Sequence, residues 1–345
     1  MSKIILCGGG TAGHVMPNVA LLPQLKKHFD EIHYIGTNGI EKNIIQQYPF
    51  VKYHEIECVK LVRSLTPKNL LIPFKLIKSI NTCKKIIKEI KPNVIFSKGG
   101  YASLPVVLAS KNIPVIAHES DYTMGLANKI IYRKTKTMFF SFEETANKYN
   151  KGILSGPPIR DTILNGNKVK AKTITNFTNN LPTILVVGGS MGAKGLNELI
   201  YRNIKEICNE FNVVHITGKY NSDIKHQNYF QVNYAENIED YLALCDIVIS
   251  RAGSNAIFEF LALQKPMLLI PLPKASSRGD QILNAQYFEK HGWAITKEQE
   301  KIEDKELIKS IRILYKYRSI YIKRMKDANV KNGKDIILSE LIKYK

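Results

Sequence analysis

Twice in this chain a short apolar strand runs into a glycine-rich turn. Ile4-Ile5-Leu6-Cys7 leads into Gly8-Gly9-Gly10-Thr11-Ala12-Gly13-His14, and Ile184-Leu185-Val186-Val187 leads into Gly188-Gly189-Ser190-Met191-Gly192-Ala193. Glycine at a strand-to-helix turn permits positive φ and lets backbone N–H groups approach an anion with no Cβ in the way. The helix that follows adds partial positive charge for a phosphate. One such turn constrains little. One in each half predicts two facing nucleotide-type domains with a substrate between them.

The rest of the pattern agrees. Short apolar runs alternate with longer helical patterns, as in α/β units with parallel strands. Strands are predicted at 3–7, 32–36, 51–56, 93–96, 114–117 and 137–140, with helices at 18–28, 40–47, 70–90, 102–111 and 124–133. The second half repeats this with strands near 183–187, 212–217, 229–232, 246–249 and 267–270, and helices near 194–208, 238–244, 254–263 and 280–291. Gly156-Pro157-Pro158-Ile159-Arg160 reads as a stiff turn closing the first domain, and 163–181, rich in Asn, Thr and Lys, as the linker. Residues 303–345 read as helical. At 345 residues, two domains can each build a core.

Charge narrows the partners without choosing among them. The formal charge is +20, carried mostly by lysines scattered along helices. Solvated helix faces account for such a pattern, and so does attraction to nucleic acid, acidic lipid headgroups or phosphorylated substrates. Leu65 to Lys78 interleaves apolar residues and lysines around Pro67 and Pro73. It fits a loop leading into an amphipathic core helix, or a peripheral contact with anionic lipid. The five cysteines are scattered with no C-x-x-C pair, as expected of reduced thiols in a cytosolic protein without a zinc site. The apolar run before the first glycines is too short for a signal-peptide core, and no run approaches the ~18 residues of a spanning helix.

The motifs exclude two common nucleotide chemistries. Neither glycine turn gives G-x-G-x-x-G in frame with an acidic ribose-binding residue, and no G-x-x-x-x-G-K-[ST] loop is present. Nor is there a D-x-D pair to clamp a metal-diphosphate. His14 stands at a helix start beside the first turn, placed for a general base or a substrate hydrogen bond, or simply for capping. Ser97-Lys98-Gly99-Gly100-Tyr101 and His118-Glu119-Ser120-Asp121 follow strands, at the edge where α/β sheets bind ligands. Glu119 and Asp121 are each able to accept a proton or hold a sugar hydroxyl, or to be ordinary surface carboxylates. In the second half, Ser250-Arg251-Ala252-Gly253 opens a helix carrying Glu259, placed to chelate a ribose diol, and Arg278-Gly279-Asp280-Gln281 opens another.

Taken together these segments resemble the MurG family of peptidoglycan N-acetylglucosaminyltransferases over nearly the whole chain. The carriers are Gly8 to His14 with Pro17, Lys98 to Tyr101, His118 to Asp121 with Gly125 and Asn128, Gly156 to Arg160, Gly188 to Ala193 with Asn197, Ser250 through Glu259, and Asp280-Gln281 with Asn284-Ala285. The resemblance implies an α/β GT-B fold, two Rossmann-like parallel-sheet domains facing a cleft. The acceptor domain is then 1–162 plus a returning C-terminal helix at about 326–345, and the donor domain 163–325.

It also implies an inverting transfer of GlcNAc from UDP-GlcNAc to the MurNAc 4-hydroxyl of lipid I, giving lipid II. Ser190 and the loop amides are implied to hold the diphosphate, with Asn197 among the substrate-binding residues. Glu259 is implied to hold the ribose, the backbone of Ile238 to read the uracil edge, and Gln281 and Asp280 to contact the GlcNAc, with Arg160 near the nucleotide. Thr11, Ala12, Gly13, His14, Tyr101, Glu119 and Asp121 are implied to meet the acceptor and the transferred sugar. His14 is the favoured base, with Glu119 or Asp121 as the alternative.

Several residues depart from the family pattern. Ala12 replaces a glycine, His118-Glu119-Ser120-Asp121 replaces H-E-Q-N, and Asp280-Gln281 replaces a paired glutamine. No metal or other cofactor is expected, since loop amides, a helix dipole and Arg160 are able to stabilise the leaving UDP. The expected partners are UDP-GlcNAc, lipid I, the anionic cytoplasmic membrane surface through 65–78, and other cell-wall enzymes, but not nucleic acid. That puts the chain, as a peripheral protein, on the cytoplasmic face of the membrane. Other GT-B transferases, a UDP-GlcNAc 2-epimerase and a silent recruiting subunit are the rival readings.

Overall fold

The computed structural model describes residues 1–58, 72–189, 192–276, 278–328, 330 and 332–345. The chain divides into two units, Met1–Arg160 with Lys331–Lys345, and Asp161–Val330.

The first unit runs β1 (Lys3–Cys7), α1 (Ala12–His28), β2 (Glu31–Gly36), α2 (Ile40–Ile45), β3 (Val51–Glu55), α3 (Ile72–Ile90), β4 (Val94–Ser97), α4 (Ser103–Ala109), β5 (Val115–Glu119), α5 (Leu126–Tyr132), β6 (Thr137–Phe140), α6 (Glu143–Ala146) and β7 (Gly152–Leu154). Its strands pair in parallel in the order β3-β2-β1-β4-β5-β6-β7. A parallel sheet covered on both faces needs apolar side chains on both. Ile4 and Leu6 therefore pack beneath α1 with Val15, Leu21, Leu22 and Leu25, while Ile5 and Cys7 pack beneath α3 with Cys83, Ile87 and Ile90. The 83, 87, 90 spacing is the i, i+4, i+7 stripe of an amphipathic helix.

The second unit runs α7 (Lys168–Thr175), β8 (Thr183–Val187), α8 (Lys194–Cys208), β9 (Asn212–Ile216), β10 (Tyr229–Val232), α9 (Ile238–Leu244), β11 (Ile247–Ser250), α10 (Ser254–Ala262), β12 (Met267–Leu269), α11 (Asp280–Lys290), β13 (Ala294–Thr296), α12 (Asp304–Lys316) and α13 (Arg318–Asp327). Its parallel sheet has the order β10-β9-β8-β11-β12-β13. Leu196, Leu199, Ile200, Ile204 and Ile207 of α8 and Leu307, Ile311 and Leu314 of α12 cover Ile184, Val186 and Ile249.

The last helix, α14 (Gly333–Ile342), belongs to the first unit and buries Ile337, Leu338 and Leu341 against the α1 side of its sheet. A clasp fixes its start. Asn332 accepts the Ile159 N–H at 3.0 Å and donates to the Ile159 carbonyl at 3.2 Å, and the Gly333 N–H donates to the Pro157 carbonyl at 3.1 Å. The 156–160 turn is thus the seat of the C-terminal helix.

Three local expectations differ from the structure. The first helix begins at Ala12 and not at 18, with Pro17 and Pro23 inside it. Proline removes one backbone donor and favours a break, but here Val15, Val19, Leu22 and Leu25 are buried against the sheet and hold the helix together. Residues 163–181 are not an open linker. Asn167 caps α7 by accepting from the Lys170 N–H at 3.0 Å, and its own N–H donates to Asp240 of α9 at 2.7 Å. Ala171, Thr175 and Phe177 are buried there. Strands β7 and β13, three-residue strands at the sheet edges, were not expected, because they lack the fully buried apolar run that marks the equally short β12.

A side chain at Gly333 has nowhere to go, because a Cβ would collide with the Gly156 carbonyl oxygen, a backbone atom. Gly333→Ala is expected to lower stability by about 1–3 kcal/mol, as overpacking does. Thermal unfolding of the purified variant checks this, and an unchanged Tm would contradict the clasp.

Candidate active site

Both sheets reverse their direction of growth beside their first strand, between β1 and β4 in one unit and between β8 and β11 in the other. The chain leaves the two central strands in opposite directions, so the space beyond their carboxyl ends stays open to a ligand. The residues that occupy those ends are Gly8–Gly10 and Lys98–Tyr101 in the first unit, and Gly188–Gly189 and Arg251–Gly253 in the second.

In the first unit the glycine turn is held from every side. Tyr34 donates its hydroxyl to the Gly8 carbonyl at 2.6 Å, and Asn18 donates to Tyr34 Oη at 3.2 Å and the His14 carbonyl at 3.4 Å. Gly10 has φ +88°, and a Cβ there would strike the Tyr101 ring. Beneath the turn lies Glu41, fully buried at the start of α2. One of its oxygens accepts from the Thr37 N–H at 3.0 Å and the Thr37 hydroxyl at 2.5 Å, and the other from the Gly10 N–H at 3.2 Å. Nothing in the sequence marks Glu41. It follows an ordinary turn in an ordinary short helix, and only the fold brings it under Gly9 and Gly10.

Thr11, Ala12, Gly13 and His14 form the outer edge of this turn, exposed or half-buried, with Tyr101 half-buried beside it. Thr11 Oγ1 lies 2.9 Å from His14 Nδ1. When Nδ1–H donates to Thr11, the lone pair sits on Nε2, and that tautomer is the one able to take a proton.

The β5 end separates two carboxylates that the sequence could not rank. Glu119 is 5% exposed. Its Oε1 accepts from the Asp121 N–H at 3.0 Å, and its Oε2 from the Gly125 N–H at 3.0 Å and Asn128 Nδ2 at 2.9 Å. Both oxygens are therefore spent on tying residues 119–128 together. Burial, and then the nearby Asp121, push its carboxyl above the usual glutamate range. Glu119 builds the turn, whereas Asp121 is half-buried on its outer side. His118 is fully buried, with burial holding it neutral, so its Nε2 donates to the Gly156 carbonyl at 3.1 Å. Arg160, half-buried, ends this unit just beyond that turn.

In the second unit Gly189 has φ +100°, and a Cβ there would meet no described atom within 4 Å. Gly192, at φ +75°, lies against the Thr217 carbonyl. Ser190 and Met191 lie outside the described residues. Asn197 is 1% exposed, and it donates to the Thr217 carbonyl at 2.8 Å and the Tyr220 carbonyl at 3.2 Å. Its Oδ1 meets His215 Nε2 at 3.2 Å. With its amide engaged inside the fold, Asn197, expected as a substrate contact, holds the 217–220 loop against α8.

Beyond β11 and β12, Glu259 lies half-buried on α10, and Asp280 and Gln281 open α11. Arg278 Nε pairs with Asp280 at 2.5 Å, and Gln281 Oε1 accepts the Leu272 N–H at 3.1 Å. The buried Arg251 donates to the Ile270 carbonyl at 2.9 Å and the Pro271 carbonyl at 3.1 Å, and it also donates to Gln299. It thereby fixes the chain leaving β12, and burial lowers its pKa to about 10. Ile238 is the first residue of α9. Among the described residues no group of three or more His, Cys, Asp or Glu side chains could hold a metal ion.

Comparison with known proteins places this arrangement. Residues 4–140 match the Glycosyltransferase family 28 N-terminal domain, and residues 183–339 the Glycosyltransferase family 28 C-terminal domain. A Clostridium tetani protein named UDP-N-acetylglucosamine--N-acetylmuramyl-(pentapeptide) pyrophosphoryl-undecaprenol N-acetylglucosamine transferase is 48% identical over 99% of this chain and 98% of its own. One of the same name from Clostridium botulinum is 47% identical over 100% and 99%. Among solved structures, Acinetobacter baumannii MurG superposes with a TM-score of 0.77 at 21% identity over all of both chains. A Neisseria meningitidis UDP-GlcNAc 2-epimerase superposes with a TM-score of 0.66 at 16% identity over 99% of this chain and 100% of its own. At these identities the structures show a shared GT-B architecture.

The Glu41 arrangement can be tested directly. Glu41→Gln keeps the volume but replaces one accepting oxygen with a donor that faces N–H or O–H groups. It is expected to cost about 1–3 kcal/mol, the price of an unsatisfied buried group. Chemical denaturation measures this, and a loss below about 0.5 kcal/mol would remove Glu41 as the support of the first turn.

Proposed function

The chain belongs to glycosyltransferase family 28, and we propose that it transfers N-acetylglucosamine from UDP-GlcNAc to the 4-hydroxyl of the N-acetylmuramyl sugar of lipid I, forming lipid II with inversion. The observation that carries this reading is 47–48% identity over essentially the whole length of relatives named for that transfer. The structural likeness to a 2-epimerase concerns the fold, at 16% identity.

The reaction needs three things from the protein: a base for the acceptor hydroxyl, charge stabilisation for the departing UDP, and a hold on both sugars. The acceptor oxygen attacks the anomeric carbon on the face opposite UDP. The carbon–oxygen bond to the β-phosphate breaks with its electron pair, and the hydroxyl proton passes to His14 Nε2. Thr11, 2.9 Å from His14 Nδ1, supports that assignment by orienting the ring. Tyr101 and Asp121, half-buried at the neighbouring strand ends, are assigned to the acceptor and the transferred sugar.

In the donor unit, the Gly189 turn and the start of the 15-residue α8 support a diphosphate site, to which Ser190 is assigned. Glu259 is assigned to the ribose, the Ile238 backbone to the uracil edge, Gln281 and Asp280 to the GlcNAc, and Arg160 to the nucleotide. The loop amides and Arg160 meet the charge of the leaving group, so the reaction is assigned no metal.

Lipid I is membrane-anchored, and α3 offers a contact. Phe74 and Ile77 are 72% and 56% exposed on it, with Lys75 and Lys78 also exposed. Residues 65–71 lie outside the described residues. An apolar patch among lysines suits the surface of an anionic leaflet, which supports a peripheral position on the cytoplasmic face. No described helix is long and apolar enough to cross a membrane.

Purified protein is expected to release UDP from UDP-GlcNAc only when a lipid I analogue is added, and to do so undiminished in EDTA. Release without acceptor, or only with a different acceptor, would overturn the assignment, and loss in EDTA would overturn the metal-free chemistry. His14→Ala is expected to lower kcat by ~10²–10⁴ while sparing UDP affinity, whereas Ser190→Ala weakens UDP binding measured calorimetrically.

A further inference from the structure

Lys98 has no part in the chemistry above, yet it is 1% exposed at the end of β4, between the two turns of the first unit. Its backbone N–H donates to the Cys7 carbonyl at 2.8 Å, and its Cβ lies against Gly8. Its ammonium donates to the Ser120 hydroxyl. A buried ammonium is costly unless a countercharge lies near. Here the countercharges are Glu119 and Asp121, which oppose the effect of burial on Lys98. His118, the other titratable group facing it, is neutral.

From the side of Glu119, the charged neighbours are Lys98 and Asp121. Helix α5 contributes the Asn128 amide, and β6 leads to the Ser141 N–H, which donates to the Glu119 carbonyl at 3.1 Å, with no charge. Burial and Asp121 favour a protonated Glu119, while Lys98 and the N–H donors favour the carboxylate. The donors from Asp121, Gly125 and Asn128 take about three of the four lone-pair sites of a carboxylate, so Glu119 is built into the turn as an acceptor.

We propose that Lys98 is a positioning residue, the buried countercharge of Glu119 that keeps residues 119–125 in the conformation presenting Asp121. The purpose of presenting Asp121 rests on the transferase reading, whereas the Lys98–Glu119 coupling does not.

Lys98→Met, nearly equal in volume and uncharged, tests both parts. Carbon-detected NMR of protein labelled at glutamate Cδ, with Glu119 assigned through Glu119→Gln, is expected to show the Glu119 midpoint rising by about one pH unit or more in the variant. An unchanged midpoint overturns the proposal whether or not the enzyme turns over. In the transfer assay the variant is expected to lose about tenfold in kcat, with UDP affinity unchanged.

The pH profile gives a second reading. Burial lowers the Lys98 pKa to about 8, so wild-type kcat is expected to fall as pH rises through that value, and Lys98→Met to lack that limb. The cost of Lys98→Met is expected to shrink in an Asp121→Asn background, and equal costs in both backgrounds count against the coupling. If Lys98→Met alone does not fold, Lys98→Met/Asp121→Asn, which removes one charge of each sign, is expected to fold, and its failure to do so overturns the proposal. Absence of transfer by the wild-type chain overturns the transferase reading and leaves the NMR result in force.

Discussion

The constraint on which the rest depends is the parallel pairing of β1 with β4 and of β8 with β11, with the chain departing from each pair in opposite directions. Parallel strands end with their carboxyl groups on one edge, and a helix must begin close to each end. Where two connections diverge, nothing from the sheet itself fills the gap. The backbone must then turn from strand to helix within a few residues beside a central neighbour, which leaves little room for Cβ atoms. Glycine at both reversals follows from that geometry before any ligand is considered.

The two turns satisfy the constraint differently. At the first, each glycine is crowded by protein: Gly8 by the His14 carbonyl, Asn18 and Lys98, Gly9 by Glu41, and Gly10 by Tyr101. Its glycines are required by packing, and the groups that crowd them are the ones that fix His14 and Tyr101 in place. At the second, Gly188 is crowded by Ala193 and Gly192 by the Thr217 carbonyl, whereas at Gly189, with φ +100°, the backbone conformation demands glycine and no described atom lies within 4 Å of a Cβ. The sequence gives the same reason for both turns, and the packing separates them.

The central strands were legible because a parallel sheet covered on both faces writes unbroken apolar runs such as Ile4–Cys7 and Ile184–Val187. The start of α1 was not, because Pro17 is a strong local signal for a break and only tertiary burial of Val15 and Val19 overrides it. Composition misread 163–181 for a similar reason: a polar helix held by its cap and by Asp240 has too little apolar surface to show a period. The ligand-edge motifs were legible as segments, but their division of labour was not. Glu119 and Asp121 are two residues apart with the same chemistry, and what distinguishes them is three N–H donors converging on one. Lys98 stood inside a recognised motif, yet the partners of its buried ammonium come from another strand end, the Ser120 hydroxyl with the charges of Glu119 and Asp121, and Ser120 and Asp121 are positions where this chain departs from the usual pattern of the family.

That division bears on the identity of the base. Glu119 is 5% exposed, and three N–H donors already converge on its two oxygens, so a substrate hydroxyl has little access to it. Its elevated pKa, caused first by burial, gives it the proton affinity of a base without the access. His14 stands on the outer edge of the turn, and its Nδ1 lies 2.9 Å from the Thr11 hydroxyl, which orients the ring. Orientation of one nitrogen by a hydroxyl in the same turn fixes the ring at little entropic cost, because Thr11 directly precedes α1 and its carbonyl already accepts the His14 N–H at 3.1 Å. Access, rather than intrinsic basicity, therefore favours the histidine over the buried glutamate.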